Sequence, residues 1–583
     1  MVVGKLILEK HKADFCVIGG GTAGICAAIS AARNGVKVIL IHDRPVLGGN
    51  ASSEMRMHIS GADVHNKIKN MRETGLIEEM RLENLRRNPN KNFSIFDTIL
   101  YEKVKFEKNI LLFLNTSCLS AKTKGSKILK VTGWQLTTQK YIEVTAKIFC
   151  DCSGDGILAP LSGAKYRVGR EAKKEFNESL APDRANPYTM GMTCLFSAEN
   201  TGKPVKFEPP KWANVYKSCE DLPYGRSGHE WIKMGYWWIE MGGKKDTISD
   251  TEEIRDELLK TVYGIWDHIK NHCEDRKKAV NWDLNWVQFL PAKRESRRYI
   301  GAHVLSQNDI AAEGRFDDIV AYGGWPMDDH NSGGIGKREY VKTATIFHKT
   351  PIPYGIPFGM LYSKNIKNLM FAGRDASATH MAFSSTRVMG TGGIMGEAAG
   401  VAASIAVKKK VSPAQVKEKY IKELQQSLIN EDCYIPWLTQ EYSGIMNGAQ
   451  LTSSSGDASV LIDGVNRPVN EISHRLDLKN NGWVKCRLKK SCYVKELTLI
   501  FDSMMEKNLQ MSRHQKDDQL AKLPVKLVKA FIVKADGKTI FTSDDNYQRY
   551  VKIGVGKKIR TIEVKLTGTW GSKKTGIYAL WVK

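Results

Sequence analysis

The sequence has no long hydrophobic run. No stretch of its 583 residues approaches the roughly 20 consecutive apolar residues that a helix needs to cross a membrane. A secretory leader is not expected either, because the first predicted strand starts near Asp14 and no basic-then-apolar segment fits before it. We therefore expect no membrane partner and a cytoplasmic location, and earlier removal of a leader stays open as the alternative.

Cysteines are few and scattered. There are eleven, and four of them lie inside apolar runs: Cys16, Cys26, Cys150 and Cys194. Such usage is typical of reduced, buried thiols and not of a disulfide framework. The pair formed by Cys150 and Cys152 has neither a second pair nor a nearby histidine at metal-ligand spacing, so no metal site is predicted.

Acidic residues are outnumbered by basic ones. The 87 lysines and arginines against 63 acids give a formal net charge of +24, which raises the question of a nucleic acid partner. The basic residues are spread along the whole chain, without zinc-finger spacing or a single-strand-binding motif. We expect a lysine-rich solvated surface and no nucleic acid partner, with an acidic substrate as the alternative.

A glycine-rich segment follows the first predicted strand. The apolar run that ends at Ile18 leads into Gly19-x-Gly21-x-x-Gly24 and then into a segment of small residues, a pattern typical of strand, tight turn and helix. Gly19 permits the turn, Gly21 lets the backbone approach a pyrophosphate, and Gly24 lets the helix pack against the strand. A second predicted strand at residues 37–41 completes a βαβ unit, so we expect a dinucleotide to bind here, with a purely structural glycine turn as the alternative.

The segment after the second strand indicates which dinucleotide is bound. An acid at the end of this strand commonly binds the adenosine ribose. His42 occupies that position here, so the neighbouring Asp43, followed by Arg44, is the candidate. The Gly48-Gly49 doublet predicts a second close backbone approach, beside a flavin diphosphate. NAD-only enzymes do not need this approach, and the predicted cofactor is therefore FAD.

Two later strands are predicted to return the chain to the cofactor. One leads into a glycine-rich turn with Asp155, and the other leads into Gly373 and Arg374. A long helix of small residues over 387–406, with Gly393 near its start, can point its dipole at the flavin ring. We expect these four named residues to contact FAD. The sequence contains no second strand–GxGxxG–helix unit for a nicotinamide.

The middle of the chain differs in composition. Eight of the thirteen tryptophans fall between Trp212 and Trp325, which is usual for a packed core, with a carbohydrate pocket as the alternative because aromatic rings stack on sugars. Residues 235–240 are predicted to form a strand and residues 251–271 an amphipathic helix. Before this region, short alternating segments between residues 110 and 149 predict a small antiparallel ribbon.

Three residues are candidates for catalysis. His330, in a predicted turn rich in glycine and proline, is the candidate acid–base because imidazole titrates near neutrality; a surface loop histidine is the alternative. Arg294 begins the basic run 294–298 and is the candidate clamp on a substrate oxygen, while the other arginines pair with Glu295 or nearby acids. His380 lies between the last strand and helix of the flavin signature, where it would touch substrate, contact the flavin or pack.

The composition changes again near residue 450, to short strands separated by turns such as Asn481-Gly482. This pattern predicts a β-sandwich. The predicted fold is therefore α/β: an FAD-binding Rossmann domain with an inserted α+β region, which we expect to bind the substrate, plus a C-terminal β-sandwich. The predicted boundaries are 1–164 and 346–445 for the FAD-binding domain, 165–345 for the substrate domain and 446–583 for the sandwich.

Together these motifs resemble the FAD-dependent oxidoreductase family often found among bacterial glycan-degradation genes, some members of which carry a xanthan lyase label. The resemblance covers residues 13–408, and residues 450–583 resemble a galactose-binding-like, discoidin-type sandwich. The motifs that carry it are Gly19-x-Gly21-x-x-Gly24, the segment 43–50, the segment 151–156, the run 294–298, and Ala372-Gly-Arg374 with His380 and Arg387. The resemblance implies that the FAD-binding Rossmann domain is of the glutathione-reductase type and that the inserted α+β region is a substrate domain.

Three functions fit these features. The first is a flavin enzyme that oxidises a sugar or polyol hydroxyl to a ketone, or runs the reverse, with redox-assisted cleavage of a glycosidic bond as an extension. The second is a flavin-dependent reductase of an activated C=C bond. The third is a non-catalytic carbohydrate-binding protein on a flavin scaffold. A small-molecule or glycan substrate is expected, and no oligomeric state is predicted.

Overall fold

Residues 7–162 hold the strands of a mostly parallel sheet. A computed structural model of the chain describes residues 6–336, 344–442, 444–511 and 519–583. The elements up to residue 162 are β1 (Ile7–Ile18), α1 (Thr22–Arg33), β2 (Val38–Ile41), α2 (Leu76–Arg87), α3 (Phe93–Lys105), β3 (Ile110–Phe113), β4 (Thr116–Lys124), β5 (Lys127–Gln135), β6 (Lys140–Asp151) and α4 (Leu158–Ser162). Strands β3, β2, β1 and β6 lie side by side and parallel. All of β2 is buried, as expected of a strand covered on both faces.

The region up to residue 336 is a mixture of short strands and helices. Its elements are β7 (Tyr166–Arg167), α5 (Lys173–Phe176), β8 (Met192–Thr193), β9 (Phe196–Asn200), β10 (Glu240–Met241), α6 (Thr251–Asp267), β11 (Trp282–Val287), β12 (Ala292–Lys293), β13 (Arg298–Tyr299), α7 (Gln307–Ala311), β14 (Ile319–Gly323) and β15 (Met327–His330). Strand β8 lies between β10 and β12, and β9 pairs with β11. The predicted helix over 251–271 is confirmed as α6, which continues as a π-helical turn (His268–His272).

The chain then returns to the parallel sheet. The elements are β16 (Thr345–His348), β17 (Tyr354–Pro357), β18 (Leu369–Phe371), α8 (His380–Thr386), α9 (Met389–Lys409) and α10 (Pro413–Ile429). Strand β18 pairs in parallel with the end of β6. Helix α9 packs directly on α1: a Cβ on Gly396 would lie 2.1 Å from the carbonyl oxygen of Ala23, so only a glycine permits this contact. The predicted Rossmann-type flavin fold is confirmed.

Three sequence-based expectations are wrong in detail. The segment 235–240 is a strand only at Glu240, because the preceding chain turns to bury Tyr236 and Trp238 in an aromatic cluster. Strand β3 is not part of the antiparallel ribbon; it pairs in parallel with β2, and the ribbon consists of β4, β5 and the first half of β6. Strand β1 starts at Ile7, earlier than expected, because it pairs with β6 along its whole length.

The C-terminal region is an antiparallel β-sandwich, as predicted. Its strands are β19 (Gln450–Ser453), β20 (Leu476–Lys479), β21 (Trp483–Phe501), β22 (Val528–Ala535), β23 (Lys538–Ser543), β24 (Tyr550–Thr569) and β25 (Lys574–Val582). The order is β20-β25-β21-β24-β22-β23, and β19 pairs with β21. Bulges interrupt the long pairing of β21 with β24. The residues at which one domain ends and the next begins stay a prediction.

Buried ion pairs join the sandwich to the flavin-binding region. Arg549 Nε lies 2.8 Å from Asp432 Oδ2, and both side chains are at most 2% exposed. Arg72 pairs with Glu78 at 2.7 Å and also donates hydrogen bonds to backbone carbonyls within residues 503–507. Breaking a buried pair leaves a charge without compensation, which is strongly destabilising. The sandwich is therefore held to the rest of the chain by desolvated charges.

Candidate active site

The turn after β1 leaves room for a ligand at one position. Gly19 has φ of +103°, and a Cβ there would lie 2.3 Å from the carbonyl oxygen of Cys152. A Cβ on Gly24 would lie 1.8 Å from the carbonyl oxygen of Gly19, so α1 packs directly on the turn. At Gly21 a Cβ would meet no described atom within 4 Å. Because α1 has no side-chain cap, the N–H groups of its first turn can bind a phosphate beside Gly21.

The Gly48-Gly49 doublet lies against this turn. Both glycines have positive φ, +111° and +57°, a conformation that favours glycine. The Gly48 N–H donates to the carbonyl of Gly20 at 2.8 Å, and a Cβ on Gly49 would lie 3.2 Å from the Cα of Gly21. The two glycine segments therefore line one cradle.

His42 takes the buried position at the end of β2. Its Nδ1 accepts a hydrogen bond from the Gly20 N–H at 2.9 Å, and its Nε2 donates to a backbone carbonyl four residues on. Burial lowers the pKa of His42, in keeping with a neutral ring. Asp43 is 60% exposed, and Arg44 forms a two-bond ion pair with Glu54. Contact of Asp43 and Arg44 with the cofactor therefore stays a prediction.

Asp155 connects the turn after β6 to the basic run. Its Oδ2 lies 2.7 Å from Lys293 Nζ, its Oδ1 accepts from the Ser296 hydroxyl at 2.8 Å, and Arg374 Nη2 lies 3.8 Å away. Burial raises the pKa of Asp155, but Lys293 and Arg374 outweigh burial and the net shift is downward. A partly buried carboxylate thus lies where the predicted cofactor turn meets the predicted catalytic run.

The N-terminal turn of α9 lies beside Gly373, next to Arg374. Gly373 has φ of +78°, and a Cβ on Gly392, in the first turn of α9, would lie 3.3 Å from the Gly373 Cα. Nη1 of Arg374 and Oγ1 of Thr391 are buried and have no hydrogen-bond partner among the described residues. Two helix N-termini, a glycine cradle and unpaired buried polar groups fit the phosphates and ring oxygens of FAD. Gly393, also predicted to contact FAD, lies in a packing position, because a Cβ there would sit 2.3 Å from the side chain of Ile77.

His330 is buried at the end of β15, so the surface-loop alternative is wrong. Its Nδ1 lies 2.6 Å from Glu240 Oε2, and its Nε2 lies 2.8 Å from Arg387 Nη2 and 3.2 Å from Asp328 Oδ2. Arg387 Nη2 also donates to Asp328 Oδ2 at 2.9 Å. One histidine, two carboxylates and one guanidinium are thus linked by direct hydrogen bonds and ion pairs.

His380 belongs to a second cluster of charged side chains. It begins α8, and its Nδ1 lies 2.9 Å from Glu295 Oε2 while its Nε2 lies 3.2 Å from Asp329 Oδ1. Asp329 also pairs with Arg170 at 2.9 Å, and Arg298 Nε lies 3.1 Å from Glu295. The predicted pairing of a basic-run arginine with Glu295 is present. The neighbouring acids of β15, which precede His330, link the two groups.

Arg294 contacts both Glu240 of the first group and strand β8. Its Nη1 lies 3.4 Å from Glu240 Oε2 and donates to the Thr193 hydroxyl at 2.7 Å, while its Nη2 donates to the carbonyl of Trp237 at 2.9 Å. Protein acceptors therefore occupy most of its donors. The structure brings Arg294, His330 and His380 together, but Arg294 faces Glu240 and not open space.

The charges in the two groups shift the pKa values of their members. Burial raises the pKa values of Glu240 and Asp329, but Arg294 and His330 outweigh it at Glu240, and His380 and Arg170 outweigh it at Asp329, whose pKa falls to about 2. Burial lowers the pKa of His380, but Glu295 and Asp329 outweigh burial, so the net shift is upward. Glu240 and Asp329 are thereby stabilised as carboxylates, and His380 is stabilised as a cation.

Several members of the network were not proposed as site residues from the sequence. Glu240, Glu295 and Arg387 are the main ones, and each touches a predicted catalytic side chain. The sequence signal for Arg387 was its place in the last flavin motif. No local pattern marks Glu240, which lies 90 residues from the histidine that it contacts.

Comparison with known proteins agrees with this geometry. Residues 14–428 match the family model described as FAD dependent oxidoreductase. The chain belongs to this family. FAD as the cofactor and oxidoreductase chemistry are thereby confirmed, against the hypothesis of a non-catalytic flavin scaffold.

Similarity to individual proteins is more limited. A fumarate reductase (cytochrome) of Shewanella frigidimarina is 60% identical over 38 residues, which are 6% of this chain and 7% of that protein. A geranylgeranyl bacteriochlorophyll reductase-like protein from Thermoplasma acidophilum has 13% identity and a TM-score of 0.32 over 73% of this chain and 86% of its own. A family 32 carbohydrate-binding module from Streptococcus pneumoniae EndoD has 17% identity and a TM-score of 0.19 over 24% of this chain and 99% of its own.

In the described part of this FAD-dependent oxidoreductase, none of the helices combines the length and the apolar character needed to span a bilayer. The cytoplasmic location and the lack of a nucleic acid partner stay predictions.

Proposed function

We propose that this oxidoreductase converts a hydroxyl group of a carbohydrate or polyol to a ketone, or runs the reverse, with His330 moving the proton. Alcohol oxidation removes a hydride from carbon and a proton from oxygen. Bound FAD supplies the hydride acceptor. The observation that carries the proposal is the position of His330, whose Nδ1 is fixed by Glu240 and whose Nε2 adjoins the guanidinium of Arg387.

His330 is suited to act as a base. Its Nε2 accepts a hydrogen bond from Arg387, so the proton of the neutral ring lies on Nδ1, where Glu240 accepts it. Two carboxylates, Glu240 and Asp328, face two arginines, Arg294 and Arg387. This group is electrically balanced when the ring is neutral. When a substrate oxygen takes over the hydrogen bond from Arg387, the lone pair of Nε2 is released and can take up the proton of the substrate hydroxyl.

Arg387 is suited to hold the oxygen that loses the proton. Its Nη2 contacts the histidine, while its Nε is buried without a hydrogen-bond partner among the described residues. Burial lowers the pKa of Arg387, although Asp328 opposes that shift. A guanidinium with an unused donor can stabilise a developing oxyanion. Arg387 therefore replaces Arg294 as the proposed oxygen clamp.

His380 has a different role from His330. Carboxylates contact both of its nitrogens and, unlike at His330, no described guanidinium donates to either one, so both carry protons and the ring is an imidazolium. A fixed cation of this kind can stabilise negative charge in the site, but it has no lone pair with which to accept a proton. We assign proton transfer to His330 and electrostatic support to His380.

The carbohydrate part of the proposal is supported by the partly exposed Trp237. Its ring meets that of His330 edge-on, with centroids 6.3 Å apart. An aromatic face beside the proton acceptor suits a sugar ring, whose C–H groups pack on aromatic carbon. A ketone formed on the sugar would also acidify the neighbouring C–H, so elimination of a glycosidic bond could follow with His330 as the base.

Reduction of an activated C=C bond is the second candidate. The observation in its favour is a cluster of three arginines that are at most 15% exposed, Arg170, Arg294 and Arg387, because an enoate carboxylate needs such partners. The short match to a fumarate reductase points in the same direction.

Anaerobic mixing distinguishes the two candidates. The flavin-loaded protein is mixed with hexoses, methyl glycosides and polyols, and the visible flavin absorption is followed. In parallel, chemically reduced protein is mixed with fumarate and other enoates. We expect a sugar or polyol to bleach the flavin and the enoates to leave the reduced flavin unchanged. Reoxidation by an enoate without bleaching by any alcohol would favour the alkene reductase.

A further inference from the structure

A cluster of two cysteines and two histidines lies away from the cofactor cradle. Cys219 starts a short 3-10 turn (Cys219–Asp221), and His229 ends another (Gly225–His229). His268 starts the π-helical turn that extends α6, and Cys273 follows that turn. The four ligand atoms all lie within 4.8 Å of one another. Neither the proposed reaction nor the FAD-binding elements use any of these side chains.

The distances match the edges of a tetrahedral zinc site. Zn–S bonds of about 2.3 Å and Zn–N bonds of about 2.0 Å place two sulfurs about 3.8 Å apart and a sulfur and a nitrogen about 3.5 Å apart. The two sulfurs, of Cys219 and Cys273, are 3.8 Å apart. Cys219 Sγ lies 3.5 Å from Nε2 of both His229 and His268, and His229 Nε2 lies 3.3 Å from Cys273 Sγ. Four of the six edges therefore fit, and side-chain rotation can shorten the other two.

The surroundings also match a metal centre. Nδ1 of His268 lies 2.9 Å from the carbonyl of Tyr216, which fixes the tautomer that presents Nε2 to the cluster. The backbone N–H of Asp275 donates to the sulfur of Cys273 at 3.4 Å, as is usual around a thiolate ligand. His229, His268 and Cys273 are buried. Four protein ligands without an open position are the pattern of a structural zinc site, not a catalytic one.

We infer that Cys219, His229, His268 and Cys273 bind one structural Zn²⁺. Two thiolates with two imidazoles favour zinc over the oxygen-seeking cations. This departs from the sequence-based expectation of no metal. The ligand pairs, Cys219-x9-His229 and His268-x4-Cys273, are far apart in the chain and lack the short Cys-x-x-Cys spacing that usually reveals a zinc site.

The ion would connect the end of α6 to the segment that leads into the active site. His229 is followed by residues 231–241, which carry Trp237 and Glu240. Trp238 Nε1 donates a hydrogen bond to the carbonyl of Gly228 at 3.0 Å. Gly228 directly precedes the zinc ligand His229, so this bond holds residues 231–241 against the proposed site. Zinc would therefore fix the chain that positions the glutamate partner of His330.

Metal analysis of the full-length, tag-free holoprotein tests this inference. The protein is purified without chelator and its zinc content is measured by inductively coupled plasma mass spectrometry. We expect close to one zinc per chain. The variants Cys219→Ser and His229→Ala should lose most of that zinc, while Cys492→Ser, a partly exposed cysteine in the sandwich, should keep it.

A second measurement does not depend on how the variants fold. Zinc is removed from the wild-type protein with a chelator, and reactive thiols are counted before and after removal. We expect two more reactive thiols after removal, a lower melting temperature, and recovery of both with ZnCl2. Wild-type protein that holds no zinc and takes up none would overturn the inference. So would full zinc content in both ligand variants, which indicates an adventitious ion, or a Cys219–Cys273 disulfide in freshly purified protein.

Discussion

Glu240 Oε2 lies 2.6 Å from Nδ1 of His330, and both side chains are buried. A carboxylate in this position holds the imidazole in one tautomer and leaves Nε2 to face Arg387. The same carboxylate is held by Arg294, which connects the predicted basic run to the predicted acid–base group. The geometry therefore gives separate roles to residues that the sequence presents only as candidates.

Replacing Glu240 with glutamine tests this positioning role. Glu240→Gln keeps the size of the side chain but removes its charge, so the imidazole is no longer fixed and stabilised as it takes up a proton. We expect flavin reduction to slow by about 10- to 100-fold, the usual scale for loss of a supporting partner. The saturating rate should fall while KM and FAD content stay unchanged. The matched control is Glu257→Gln, on the exposed face of α6, and an equal loss in that variant would contradict the assignment.

Replacing Gly21 with alanine tests the cofactor cradle. A Cβ at this position meets no described atom within 4 Å, so Gly21→Ala should leave the apoprotein about as stable as the wild type. The methyl group would occupy the space into which the FAD phosphate fits, and FAD affinity should fall by about tenfold or more, which corresponds to about 1.4 kcal/mol. Titration of apoprotein with FAD measures this.

Gly554→Ala is the control for the cradle, because it also adds a methyl group in open space, but in the sandwich. Normal FAD binding by Gly21→Ala would show that the phosphate lies elsewhere.

The glycines could be predicted from the sequence because local backbone geometry requires them. Gly19 and Gly24 have to be glycine for the turn and helix to form, whatever the rest of the chain does. The charge network could not be predicted. His380 meets Glu295 across 85 residues and His330 meets Glu240 across 90, and such contacts leave no local pattern. His330 was expected in a turn because glycine and proline surround it, but pairing with β16 makes its segment a strand.

The buried pair Arg549–Asp432 should account for much of the attachment of the sandwich. Arg549→Met leaves Asp432 buried without a partner, and we expect a loss of about 3–5 kcal/mol in stability. Chemical denaturation of the FAD-loaded protein measures it. Asp545→Asn breaks a second ion pair between the same two regions, with Arg86, but that pair is exposed and should contribute about 1 kcal/mol or less. Equal effects of the two variants would show that burial of the pair is unimportant.

Glu397 should make the protein less stable at high pH. Burial and the neighbouring Glu431 raise the pKa of Glu397 to about 8. Its contribution to stability is complete below the ordinary glutamate value and is lost as pH rises through about 8, because a buried charge must then form. Glu397→Gln cannot ionise and keeps an acceptor for the Leu76 N–H.

Denaturation midpoints at about pH 5 and about pH 9 measure this effect. We expect the wild type to lose more stability than Glu397→Gln over this interval. The exposed Glu423→Gln should behave like the wild type. The pKa assignment would be contradicted by parallel pH dependence in wild type and Glu397→Gln.

The most direct test of the central claim is the rate of anaerobic flavin reduction in His330→Asn. The probe is whichever sugar or polyol bleaches the wild-type flavin fastest, mixed in a single turnover at saturating concentration. We predict that FAD content and spectrum stay unchanged while the reduction rate falls by about 10²-fold or more, the scale of losing a general base. Reduction of the His330→Asn flavin at the wild-type rate would contradict the account, because the proton would then leave through another group.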